Sequence, residues 1–151
     1  SRFEDILAQQ KSHYQVLEAA VKDIEGVSLR RVPLGGVQNY SFLNIFMPTE
    51  RHAQKAKKGL SEAGIDGCFY WFNNNWHYIN GWEHLTQAAS IAPISESVKY
   101  ALAQLKEKSF TKSDHFMGRN LSFLIKLGWD EATLQYRSET IRRVLSETNS
   151  N

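Results

Sequence analysis

The chain has 151 residues, 42% hydrophobic and 23% charged, with a net charge of +2. That length suits one domain with a real core, and the near-neutral balance argues against a nucleic-acid face built on bulk positive charge. Cys68 is the single cysteine, which excludes an internal disulfide scaffold, and no apolar run approaches the roughly 20 residues that span a bilayer.

No secretory leader is legible, because Ser1-Arg2-Phe3-Glu4-Asp5 leads straight into an amphipathic pattern. A cytoplasmic location is the expectation, although a chain that begins within a longer protein would hide any targeting segment. In residues 3–24 the apolar positions Phe3, Ile6, Leu7, Tyr14, Leu17, Val21 and Ile24 fall at helical spacing, and Gly26 can end the helix.

Residues 27–32 read as a short strand closed by Pro33 and the Gly35-Gly36 turn. Residues 39–47 are the clearest strand, with Tyr40, Phe42 and Phe46 on one face and Leu43, Ile45 and Met47 on the other. Two apolar faces predict a central strand covered on both sides. Thr49 caps a predicted helix over 50–63 that Gly64 stops. Its stripe is Ala53, Ala56 and Leu60. Its Lys55, Lys57 and Lys58 read more readily as a solvated face than as an anion contact.

Residues 68–72 form a third predicted strand. Residues 82–89 read as a short helix, and 94–108 as a longer one with Ser95 as its cap. Residues 120–127 give a fourth strand with Leu121, Phe123, Ile125 and Leu127 on one face. Asp130 caps a final helix that buries Leu134, Ile141, Val144 and Leu145, and the polar tail is expected to fray. The predicted order α-β-β-α-β-α-β-α implies an α+β two-layer sandwich, a small mostly antiparallel sheet with helices packed on it, formed as a single domain.

The most distinctive segment is 64–85, GIDGCFYWFNNNWHYINGWEHL. It sets aromatics around Asn73, Asn74, Asn75 and His77. Amides that donate and accept, beside aromatics with polar tips, suit a pocket for a polar ring-shaped ligand. The same aromatics could equally finish a core. No Gly-rich phosphate loop, CxxC or HExxH is present, and the spacing of His77 and His84 does not suit metal ligation on one helical turn. Cys68, between apolar neighbours on a strand, reads as a small buried hydrophobe. Asp114 and Arg119 read as a surface pair or a strand-end turn; alternatively Arg119 is an anion contact.

Taken in order, four segments resemble the C-terminal portion of the DegT/StrS-type sugar aminotransferases. EDILAQQKSHYQVLEAAVKDIEGVSL resembles the family's connecting helix and first small-domain strand, and NYSFLNIFMPTERHAQKAKKGLSEAGIDG its strand, helix and glycine turn. FNNNWHYINGWEHL is similar to the segment in which a histidine precedes an aromatic and a short helix, with His77 on the histidine and Trp82 on the usual tyrosine. MGRNLSFLIKLGWDEATLQYRSETIRRVL is similar to the closing element, with Arg119 on its arginine. GCFYWFNNNWHY also resembles the branch that makes 8-amino-octulosonate for lipopolysaccharide. The departures are local: Asn73, Asn74 and Asn75 replace prolines, and Ile79-Asn80 replaces a Gln-Pro pair.

The resemblance implies the C-terminal domain of the aspartate-aminotransferase-like fold, with a connecting helix over 1–25, sheet and helices over 26–146, and a frayed tail over 147–151. It implies a pyridoxal-phosphate aminotransferase, dimeric when full-length, that takes a sugar substrate and an amino donor. Asn73, Asn74, Asn75, Trp76 and His77 would bind the sugar, and Arg119 an anion. The family's Schiff-base lysine lies upstream of the matched region, so this chain alone is expected to hold no cofactor and to be inactive. A different class of protein, a stand-alone α+β module binding a small polar metabolite, would use the same loop.

Overall fold

The structure, a computed structural model, describes residues 2–74 and 77–150. The chain divides into two compact units. One comprises the chain up to Tyr70 together with the chain from Arg119 onward, the other Trp71–Gly118.

The first unit contains helix α1 (Arg2–Val21), strands β1 (Ser28–Leu29) and β2 (Phe42–Phe46), helix α2 (Glu50–Glu62), strands β3 (Cys68–Phe69) and β4 (Asn120–Leu124), and helix α6 (Glu131–Asn149). The sheet order is β1-β2-β4-β3, antiparallel throughout, with Leu43 opposite Phe123 and Phe123 opposite Cys68. The α+β reading therefore holds. Helices α1 and α2 pack on the sheet, and α6 packs against both. Strand periodicity sends Leu43, Ile45, Leu121 and Phe123 to the helix side, where each is at most 1% exposed.

Strand β2 lies inside the sheet as expected, but its second face is only half-buried. That face carries Phe42, Asn44 and Phe46, and a polar network crosses it. Ser122 Oγ bridges Asn44 Oδ1 at 2.6 Å and Asn120 Oδ1 at 3.0 Å, while Asn120 Nδ2 donates to the Ile45 carbonyl. Tyr40 leaves this face altogether. Asn39 Oδ1 accepts from the Ser41 amide, Tyr40 takes φ +58°, and its ring meets Tyr14 on the helix side at 5.4 Å. An Asx turn thus breaks the alternation one residue before the strand.

The helix ends follow local chemistry. Thr49, Asp130 and Ser95 each accept a hydrogen bond from a first-turn amide. Gly64, at φ +75°, closes α2 in a Schellman motif, with Ile65 N to Leu60 O at 2.9 Å and Gly64 N to Ser61 O at 3.1 Å. Helix α6 runs to Asn149, Thr148 is buried, and Asn149 Nδ2 donates to the Glu25 carbonyl.

The second unit holds 3-10 turns at Trp71–Asn73 and Ile79–Gly81, with helices α3 (Glu83–Thr86), α4 (Glu96–Lys106) and α5 (Thr111–Met117). The third predicted strand stops at Phe69 because residues 71–73 already turn. Helix α5 has no counterpart among the predicted elements. It is seven residues long and Phe110 gives it no side-chain cap.

Candidate functional site

The asparagine-rich segment begins where the chain leaves β3. The Trp71–Asn73 turn closes with Asn74 N donating to the Trp71 carbonyl at 3.0 Å. Two aromatic contacts then fold the segment back on itself. The Trp71 ring lies 4.1 Å from the His77 ring, and the Phe72 ring 5.3 Å from that of Tyr78. Between them, Asn74 Oδ1 faces His77 Nδ1 at 3.5 Å, the outer limit of a hydrogen bond.

Asn73 and His77 are exposed and Asn74 is half-buried. Asn75 and Trp76 lie outside the described residues. The described part is thus an exposed amide, a half-buried amide and an exposed imidazole on one short turn, braced by Trp71. Such groups can donate to and accept from hydroxyls, and they orient a ligand rather than transform it.

Beneath them Tyr78 is 7% exposed and donates its hydroxyl to Asp114 on α5. Burial, and then the bond and charge of Asp114, push the phenol up to about 12. Neither residue appears in the sequence-derived site. Tyr78 sits in an aromatic run that gives no hint of direction, and its partner lies 36 residues away.

Arg119 lies in the first unit and is half-buried. Its Nε donates to the Met47 carbonyl at 2.6 Å, and the Met47 amide donates back to the Arg119 carbonyl at 2.8 Å. This reciprocal pair extends the β2–β4 ladder beyond Phe46 and Asn120 and fixes the base of the arginine. Cys68 is buried, and burial pushes its thiol up to about 12, which leaves it no thiolate character for nucleophilic chemistry.

Among the described residues no group of three or more His, Cys, Asp or Glu could hold a metal ion. Concave surface is found in the first unit along the seam of α2 and α6, where Lys55, Lys58, Glu62, Arg143 and Glu147 line an open groove of about 580 Å³. Lys58 pairs with Glu62, and Arg143 with Glu147, along their own helices. These two pairs offset one another's charge, and Lys55 leaves the groove with one further cation.

No protein-family model matches the chain. Among solved structures it superimposes on 3-amino-5-hydroxybenzoic acid synthase with a TM-score of 0.60 and 16% sequence identity, over 97% of this chain. The chain spans 36% of the synthase's length. At that identity the likeness is one of fold, and the chain has the fold of the matching part of that enzyme.

Proposed function

We propose that the chain is the C-terminal domain of a pyridoxal-phosphate-dependent sugar aminotransferase of the DegT/StrS type. The observation that supports this best is the shared fold with 3-amino-5-hydroxybenzoic acid synthase, which extends over 97% of the chain. The order of the four sequence segments points the same way. In this reading Asn73, Asn74, Asn75, Trp76 and His77 form the outer wall of the sugar site. Their amides and imidazole orient hydroxyl groups toward the reacting centre. The substrate is a keto-sugar nucleotide or an 8-oxo-octulosonate-type sugar for cell-surface polysaccharide, the amino group comes from a separate donor, and the whole enzyme works as a cytoplasmic homodimer.

Among the lysines whose side chains are described, none is buried. Lys126 is tied to Asp66, Lys58 to Glu62 and Lys99 to Glu96, all on open surface. None of these is the desolvated lysine that a carbonyl cofactor requires. The cofactor would be held by polypeptide beyond this chain, and no chemical step is assigned to residues here.

The test is the complete open reading frame. Its product should bind pyridoxal phosphate at one lysine outside these 151 residues and transfer an amino group from a separate donor to a keto sugar. Stoichiometric, borohydride-reducible labelling of a lysine within this chain would overturn the assignment. So would a complete product that binds no cofactor.

A further inference from the structure

We infer that Asp114 is a positioning residue for Asn74 and His77, acting through the Tyr78 hydroxyl to hold these two side chains where a ligand meets them. The inference rests on the sugar-site reading of these residues and adds the device that fixes their geometry.

The segment has two layers. Tyr78 has extended backbone, φ −139° and ψ 131°, and in extended chain successive side chains face opposite ways. Tyr78 is buried and the adjoining His77 is exposed. Each layer carries its own aromatic contact, Phe72 on Tyr78 within and Trp71 on His77 without. The inner layer thus dictates the outer one.

What holds the inner layer is its hydroxyl. Tyr78 is 7% exposed, and Phe72 covers its ring. A buried phenol needs a partner, and Asp114 accepts from it. Helix α5, which carries Asp114, also packs against the Trp71–Asn73 turn. One carboxylate therefore braces the segment next to both aromatic layers. The raised phenol keeps its proton and donates throughout the neutral range.

The test uses Tyr78→Phe, which keeps the ring, Asp114→Ala, and Asp114→Asn, which keeps an acceptor oxygen. The first readout is carbethoxylation of His77 by diethyl pyrocarbonate in the full chain, mapped by peptide mass against His52 as internal reference. Tyr78→Phe and Asp114→Ala should each change the His77 rate by about fivefold, the worth of one hydrogen bond. The double variant should change it no further, and Asp114→Asn should restore most of it. Unchanged rates, or effects that add in the double variant, overturn the inference.

The second readout is the Michaelis constant of the complete enzyme for 8-oxo-octulosonate and for a nucleotide-linked keto sugar, assayed separately. Tyr78→Phe should raise it for the accepted sugar with turnover near wild type. If His77→Ala raises it and Tyr78→Phe does not, the positioning role alone fails. If neither raises it, the sugar-site reading fails and the positioning role fails with it.

Discussion

The guanidinium of Arg137 stands 4.4 Å from the centroid of the Trp129 ring while its Nη1 donates to Asp66 Oδ1 at 2.6 Å. Two further residues complete the cluster. Lys126 pairs with the same carboxylate, and His13 stacks on Trp129 at 6.0 Å while bonding the Lys126 carbonyl. Helix α1, the turn before β3, the end of β4 and helix α6 are thereby tied at one point. The Arg137 side chain is 7% exposed and that of Asp66 60%, so the arginine is the desolvated partner.

Arg137→Ala should consequently destabilise the first unit by about 2–3 kcal/mol, the sum of charged hydrogen bonds and a cation–π contact. Arg137→Lys should recover only part of this, because an ammonium cannot span both the carboxylate and the Asp66 carbonyl, which Nη2 also reaches. Urea unfolding checks it. The midpoint should fall with the slope unchanged, and a shift below about 0.5 kcal/mol would place the cluster among ordinary surface contacts.

The same cluster predicts a pH dependence. Hydrogen bonds from Lys126 and then Arg137 hold the Asp66 carboxyl below its ordinary value. A carboxyl depressed in the folded state binds its proton first in the unfolded chain. Its contribution is full above about pH 4 and is lost as pH falls toward the folded value. Asp66→Asn should flatten the stability profile in that window. A remaining slope is expected from Asp130, lowered by hydrogen bonds from Thr133. A profile unchanged by Asp66→Asn would contradict the role given to these bonds.

Glycine substitutions separate backbone strain from crowding. Gly26 and Gly64 both have φ +75°. A Cβ at Gly64 meets nothing within 4 Å, whereas one at Gly26 falls 2.8 Å from Pro48 Cγ. Gly64→Ala should therefore cost about 1 kcal/mol, the price of a left-handed alanine. Gly26→Ala should cost more, by about 1–3 kcal/mol of overpacking. Thermal melts of the two variants give the order, and equal losses would show that the turn at Gly26 relaxes freely.

What the sequence made legible was short-range. Thr49, Ser95 and Asp130 sit three residues from the amides they cap, and Leu121, Phe123 and Ile125 alternate within one strand. What it left hidden depends on distant partners or on one dihedral. Tyr40 departs from its strand face because Asn39 forms a local turn. Thr148 and Asn149 belong to α6, where Asn149 meets Glu25, 124 residues earlier. In the site, the exposed Asn73 and His77 could be expected from a run of amides that make poor core. The Tyr78–Asp114 bond could not, since helix α5 has neither a side-chain cap nor a buried residue to announce it.

His77→Ala tests the candidate site itself. His77 is exposed, and its described contacts are the Trp71 ring and the long approach to Asn74. Removing it should move the unfolding free energy by no more than about 0.5 kcal/mol, as for other surface changes. If the proposed sugar-site role holds, the same change in the complete protein should raise the Michaelis constant for the sugar by up to about tenfold, since one hydrogen bond to a neutral hydroxyl contributes roughly 0.5–1.5 kcal/mol. Cofactor binding should not change, because an orienting contact is lost rather than a cofactor ligand. Kinetics and melting must be read together. A variant that melts normally with altered sugar kinetics assigns the imidazole to the substrate. A variant that unfolds the second unit, with no separate kinetic effect, makes His77 the outer half of a structural stack with Trp71 and leaves the asparagines without their proposed partner.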